Sequence, residues 1–406
     1  MSPRIALSGK KIWTILTGNI IGYAFYWIIS YLSLLLSGHS LLSSINKFGL
    51  YPHIFNSGTS SSSILVYSLG LLIWIAFISI SFTAVSRLTL EELNGNHLFS
   101  ISEAWIFSLK HSQTIIFTPL TIIFIIFTLL IITVFLTLMH SIPYAGSIIF
   151  NSLFPIFFMG SIFIIYTALV LINSLIYSSA IIASYEEDIM GTIFQSYSIT
   201  WSQPWRVITY NFIILLLIII GLVVYSWFCI NSYGLIYLIS NHSFIFGESF
   251  NNIMSFSFEL VFPTYIIDNM LYLQSHIVST DHNYLSIIIN FFEKQRPTIV
   301  QFSNLDYISS ILSSSFLFII LLSIISYCLS IFCVGQTISF LIFKKLTDDD
   351  DILYRFHKNQ ITDDLNQFLM KTLNIINHNT KLSIPINSKL LQRPYLITVF
   401  KLFELE

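Results

Sequence analysis

His111-Ser-Gln-Thr-Ile-Ile-Phe-Thr-Pro-Leu-Thr-Ile-Ile-Phe-Ile-Ile-Phe-Thr-Leu-Leu-Ile-Ile-Thr-Val-Phe-Leu-Thr-Leu138 opens a run of 75 residues, 111–185, that contains no Asp, Glu, Lys or Arg. Such a run has too little polar surface to cover itself in water, yet it is long enough to cross a hydrocarbon core of about 30 Å twice at roughly 20 residues per crossing. Working outward, comparable uncharged stretches occupy 12–46, 48–86, 207–247 and 307–343. The bilayer therefore organises nearly the whole chain. Across its 406 residues, 55% are hydrophobic, 16% aromatic and 9% charged, against roughly 25% charged in soluble domains. The formal net charge of -2 decides little, because the charges are unevenly spread: residues 344–406 hold 17 of the 38.

Apolar windows read against their flanking charges predict six spans, at about 13–36, 64–85, 114–138, 156–182, 209–230 and 316–342. The first follows Arg4, Lys10 and Lys11 and ends in Leu34-Leu-Leu-Ser-Gly-His39, without a small-x-small cleavage site. It is also about twice the length of a signal-peptide core, so it reads as an uncleaved first helix. The fourth window is too long for one ordinary crossing and contains Pro155, which predicts a short interfacial turn over 144–153 and then a tilted helix. An even number of spans places both termini on one side. With that side cytoplasmic, 15 basic residues fall inside and only Lys47, Lys294 and Arg296 outside, the distribution that the positive-inside rule favours. The expected localisation is the cytoplasmic membrane, multi-pass. The segment 231–310 is then external, with Phe256 to Phe262 on the membrane surface and Ser286 to Phe292 amphipathic, a cap over the bundle.

Two inner segments resemble each other, from Ser86 to Lys110 and from Glu186 to Arg206. Each passes from acidic residues through an amphipathic stretch into a new span. In the second, Ile189, Ile193 and Tyr197 recur at four-residue spacing, with Phe194 and Trp201 widening the face and Gln195, Ser198 and Ser202 turned elsewhere. This predicts an elbow helix lying along the interface, Trp201 and Trp205 at headgroup depth and Pro204 turning the chain into the bilayer. The fold class is all-α: a polytopic membrane protein of about six transmembrane helices with two cytoplasmic elbow helices. Its predicted domains are a transmembrane body, 1–343, and a cytoplasmic tail, 344–406. In the tail, Thr362-Asp-Asp caps a helix whose Leu365, Phe368, Leu369, Leu373 and Ile376 form one apolar stripe. The acidic run Asp348 to Asp351 reads as a solvated linker, since it lacks the alternation and central Gly of a calcium loop.

The stretch Glu187-Asp-Ile-Met-Gly-Thr-Ile-Phe-Gln-Ser-Tyr-Ser-Ile-Thr-Trp-Ser-Gln-Pro-Trp-Arg-Val-Ile-Thr-Tyr210 resembles a motif of a family of uncharacterised bacterial multipass membrane proteins. In that family an acidic patch leads through Ser-Tyr and Pro-Trp-Arg into a span. The resemblance extends to Arg87 through Pro119 and to Gly335-Gln-Thr with Lys344-Lys345, over roughly 85–355, and departs at Gln195 and Gln203, where the family has basic residues. A looser similarity connects the elbow to the membrane domain accompanying some glycerophosphodiester phosphodiesterases. The resemblance implies architecture, not activity.

Chemistry-bearing patterns are scarce. Intramembrane enzymes and ion-coupled carriers keep ionisable groups inside the bilayer, and no Asp, Glu, Lys or Arg falls within the six spans as drawn from sequence. No His-Glu-x-x-His, Gly-x-Ser-x-Gly, phosphate-binding loop or Cys/His cluster occurs. Cys229, Cys328 and Cys333 read as small apolar side chains, and His140 as an interfacial cap. Asn173 with Ser174, in mid-span, and Asn211, near the start of the fifth span, are the polar groups that stand out, read as interhelical hydrogen bonds worth about 0.6 kcal/mol each. Gly18-Asn-Ile-Ile-Gly22 fits the pattern that lets helices approach closely. No catalytic, cofactor-binding or metal-ligating residue is therefore assigned, and no cofactor. The expected partners are membrane lipids and other membrane subunits met through the tail helix. No basic stripe points to nucleic acid. The sequence-based expectation is a non-enzymatic scaffold or membrane-organising component, with a transporter or channel for a neutral or lipidic substrate as the alternative.

Overall fold

The computed structural model describes residues 8–54, 60–138, 146–240, 247–262, 304–347 and 352–355. Among them 91% are helical and no strand occurs. In hydrocarbon every backbone N–H and C=O must be paired within the chain, which leaves helices as the solution for long apolar runs. In chain order these are α1 (Gly9–Leu36), α2 (Leu41–Phe48), α3 (Ser61–Leu93), α4 (Ile101–Lys110), α5 (Ser112–Leu138), α6 (Gly146–Tyr185), α7 (Ile189–Ser202), α8 (Pro204–Ser240), α9 (Gly247–Val261) and α10 (Asn304–Thr347). The six long ones, α1, α3, α5, α6, α8 and α10, are apolar and long enough to cross a membrane. The chain is an integral membrane protein of the all-α class.

Local signals set the helix starts. Ser40, Ser60 and Asp188 accept from the backbone N–H three residues on, at Ser43, Ser63 and Gly191. Ser100 and Glu103 form a reciprocal capping box at the start of α4. Hydrogen bonds from Ser100 to its carboxylate hold Glu103 below the usual carboxylate pKa range. The turn expected over 144–153 is absent from Gly146 onward: α6 begins there and continues through Pro155. The proline removes one intrahelical donor, whereas a non-helical turn in lipid would leave several groups unpaired. The helices overrun the spans drawn from hydropathy. At about 1.5 Å per residue, the 40 residues of α6 measure about 60 Å, twice the hydrocarbon thickness.

Two antiparallel pairs form the frame. In the α1–α3 pair, a Cβ on Gly18 would collide with Ser81 Oγ, and one on Gly22 would lie 2.8 Å from Trp74. In the α8–α10 pair, Gly221 faces Ile331 and Gly335 faces Ile214 at 2.5 and 2.8 Å on the same measure. The Gly18/Gly22 spacing was visible in the sequence. The second pair joins glycines from helices 114 positions apart, which no local pattern reveals.

Burial is uneven along the long helices. Nearly every residue of α3 from 80 to 91, of α6 from 177 to 184 and of α10 from 326 to 340 is buried or half-buried. Toward the opposite end large apolar side chains stand exposed, among them Phe135, Ile156, Phe163 and Leu238. A belt of that composition is stable only against lipid. The tightly packed part thus sits at the end where α1 and α8 begin and α3, α6 and α10 finish. The opposite end is stitched by tyrosines: Tyr26 OH donates to Pro52 O at 2.8 Å, Tyr31 OH to Gly49 O at 2.7 Å and Tyr51 OH to Val261 O at 2.9 Å. There α9 lies against α10, Ser257 Oγ donating to Ser310 O at 3.0 Å. Within the expected membrane-surface stretch 256–262, Phe258 and Val261 are buried by the protein itself.

Candidate functional site

Charged side chains that lie outside the hydropathy-drawn spans converge at the packed end. Lys10 and Lys11 open α1, while Arg87, Glu91 and Glu92 close α3; antiparallel pairing brings the two sets together. Lys11 Nζ donates to Glu92 Oε2 at 2.6 Å, and Lys11 is only 1% exposed. Lys10 Nζ reaches over to donate to the carbonyls of His97 and Phe99, at 3.0 and 3.3 Å, satisfying the backbone of the turn after α3. Arg87 spans three elements: its Nε meets Glu91 at 3.3 Å within α3, and its Nη1 meets Glu186 at 2.8 Å and Ala183 O at 3.1 Å on α6. Its guanidinium also lies over the Phe107 ring of α4, 4.5 Å from the centroid. Asn96 completes the cluster by donating to Glu91 at 3.1 Å. Glu186 has φ of 54°, the left-handed region that costs a non-glycine residue about 1–2 kcal/mol. That backbone turn ends α6, and the Arg87 ion pair holds it.

Beneath this collar the polar groups pair between helices. Thr337 Oγ1 donates to Ser86 Oγ at 3.0 Å, Ser86 and Cys333 are 3.3 Å apart, and Cys333 Sγ donates to Phe82 O at 3.1 Å. Cys333 is thus a hydrogen-bonded junction between α3 and α10, not the simple apolar filler expected. Asn211 of α8, singled out from sequence, accepts from Gln336 Nε2 at 2.6 Å and donates to Tyr177 OH at 3.2 Å, which ties α8 to α10 and α6. Asn173 Nδ2 donates to Thr200 Oγ1 of α7 at 2.9 Å. Its neighbour Ser174 points inward, its hydroxyl buried without a hydrogen-bond partner among the described residues. Gln203 Nε2 donates to Phe343 O at 3.2 Å and is buried, so the neutral residue here does structural work at the α7–α8 break. His140, Lys294, Arg296, Asp348 to Asp351, Ser286 to Phe292 and the stripe from Leu365 to Ile376 lie outside the described residues.

The elbow helix α7 divides the apolar face predicted for it. Ile193 is buried against Ile122 and Val170, and Thr192, Ser196, Ile199 and Thr200 are buried with it. Phe194, Trp201 and the following Trp205 point outward, Trp201 and Trp205 being 78% and 77% exposed. Hydroxyls turn inward because each bonds back to the preceding turn, Thr192 to Asp188, Ser196 to Thr192 and Thr200 to Ser196. A small hydroxyl satisfied by its own helix packs like a small apolar group, which hydropathy scoring does not register.

Two larger recesses open sideways. One, about 590 Å³, lies between α6 and α8 and is lined by apolar side chains around Asn173, Thr200 and Asn211. The other, about 480 Å³, lies between α8, α9 and α10 near Tyr225, Cys229 and Met254. Among the described residues no group of three or more His, Cys, Asp or Glu is placed to hold a metal ion. Comparison with protein-family models, curated proteins and solved structures finds no match to this chain.

Proposed function

We propose that this chain is a non-enzymatic membrane-organising component, a scaffold whose packed, charged end faces the cytoplasm. The observation that carries this reading is the state of the interior polar groups. Ser86, Cys333 and Thr337 are spent on one another across α3 and α10, and Tyr177, Asn211 and Gln336 tie α6, α8 and α10 together with only part of their hydrogen-bonding capacity left over. A conducting path needs polar groups free to exchange partners with a moving solute, whereas locked pairs hold helices in register. Burial concentrated at one end supports the same view, since it builds a rigid platform on which other subunits can assemble. A transporter for a neutral or lipidic molecule is the second reading, favoured by the lateral recess beside Asn173.

Reconstitution separates the two. Proteoliposomes loaded with a neutral solute, and others carrying a fluorescent phospholipid in one leaflet, are expected to show background rates of efflux and of lipid transbilayer movement. Movement above background that falls on changing Asn173 to Leu would overturn the scaffold in favour of the transporter. Recovery of the chain in mild detergent with a stoichiometric membrane subunit is the positive result expected.

A further inference from the structure

We infer that the recess between α6 and α8 is a binding site for one membrane glycerolipid, its ester and hydroxyl region held at Asn173 and Asn211 and an acyl chain lying along the groove. The inference goes beyond the scaffold reading and stands whether or not the chain moves its lipid.

Four observations carry it. First, the recess holds about 590 Å³, inside the range of about 300–1,000 Å³ usual for small-molecule sites. Second, its walls are Leu169, Ile172, Leu215, Ile218 and Phe332. Leu169, Ile172 and Leu215 are more than half exposed on a surface that faces lipid, so the occupant enters from the bilayer. Third, the polar floor retains capacity. Asn173 uses its amide to donate to Thr200, and no hydrogen bond to its Oδ1 occurs among the described residues. Asn211 uses one of its two amide hydrogens on Tyr177 and keeps the other. Behind it Gln336, 1% exposed, has its Oε1 without a hydrogen-bond partner among the described residues. One free acceptor beside one free donor matches a hydroxyl or an ester with an adjacent hydroxyl.

Fourth, Pro204 lines the recess, and Trp201 and Trp205 stand exposed on either side of the Gln203-Pro204 turn. Tryptophans in that setting mark the headgroup level of a bilayer. The polar floor therefore sits where a glycerol backbone sits, and Leu215 and Ile218 continue toward the depth of the acyl chain. Among the described residues no Lys or Arg lines the recess, so recognition falls on the uncharged part of the lipid.

The test uses the full chain in nanodiscs of phosphatidylethanolamine and phosphatidylglycerol, doped with a diacylglycerol probe carrying a photoreactive acyl chain. Cross-linked peptides are then mapped by mass spectrometry. Labelling is expected to concentrate on peptides covering 169–176 and 204–218. It should drop about five-fold in Asn173→Leu, the loss of roughly one hydrogen bond, and similarly in Ile172→Trp, which fills the groove from a lipid-facing position. Leu130→Trp, lipid-facing on α5, should leave it unchanged, and size-exclusion profiles identify any variant that fails to fold. A hydrocarbon probe with no ester or hydroxyl should label the groove equally in wild type and Asn173→Leu. Labelling spread evenly around the bundle and indifferent to both groove variants means annular lipid only, and overturns the site. Equal sensitivity of both probes to Asn173→Leu overturns the polar recognition.

Discussion

Arg87 ties three helices together, and its surroundings decide what each partner contributes. Its side chain is 15% exposed and joins Glu91, Glu186 and the Ala183 carbonyl. Glu186 is half exposed by comparison. Removing the buried member of such a set strands its partners, whereas removing an exposed one leaves the rest to water. Arg87→Ala is expected to cost about 3–5 kcal/mol, read as a lower melting temperature in detergent, and Glu186→Ala less than about 1 kcal/mol. Equal losses would show that the network is not anchored on the arginine. Arg87→Lys should recover only part of the loss, since one ammonium cannot reach three groups in different directions. From sequence Arg87 is one of fifteen basic residues expected on the inner side; its role rests on Glu186, 99 positions away.

Helix contacts repeat the lesson one level up. α1 meets α3, and α8 meets α10, through glycines whose missing side chains let the backbones close. Gly335→Val places atoms within 2.8 Å of Ile214, and the overpacking should cost about 1–3 kcal/mol. Gly160 and Gly234 lie in equally long helices with open space where a Cβ would stand. Changing either to Ala should be neutral or stabilising by up to about 1 kcal/mol. Thermal denaturation of the four variants, with Gly18→Val, would refute the close-contact assignment if the two groups behaved alike. For the elbow helix α7, Ile193→Asp buries a carboxylate against Ile122 and Val170 and is expected to cost about 3 kcal/mol and to lower folded yield. Phe194→Asp, on the exposed side of the same helix, should be milder. Unchanged yield and stability for Ile193→Asp would mean that this face is not packed.

Across the bundle, the converging ends of α1, α3, α6 and α10 place the first and last described spans at one end, together with Lys10, Lys11, Arg87 and Lys344. From the basic-residue bias that end is expected to face the cytoplasm. In a background without native cysteines, an impermeant maleimide applied to intact cells should label a cysteine placed at Ser61 and spare one placed at Leu98. Both positions are exposed, at opposite ends of α3 or just beyond it. The reverse pattern would invert the protein in the membrane and move the collar outside.

Six spans, an all-helical fold and two intervening elbow helices were legible from residues alone, because transfer into a bilayer is close to additive along the chain and needs no knowledge of partners. The Gly18/Gly22 contact was legible for a related reason, its two members lying one turn apart on a single helix. What the tertiary structure decided is everything that depends on register between distant helices. Ser86 meets Cys333 across 247 positions, and Asn211 meets Gln336 across 125. Helix ends drawn at the last apolar residue missed the extensions that carry Lys11, Arg87 and Glu92. On α7 the inward stripe of Ile189, Ile193 and Tyr197 was legible; its other side was missed because Thr192, Ser196 and Thr200 satisfy their hydroxyls on their own helix and pack as small residues. Hydropathy measures a residue against solvent; which polar group is locked and which remains available to a ligand is set by the neighbour that folding supplies.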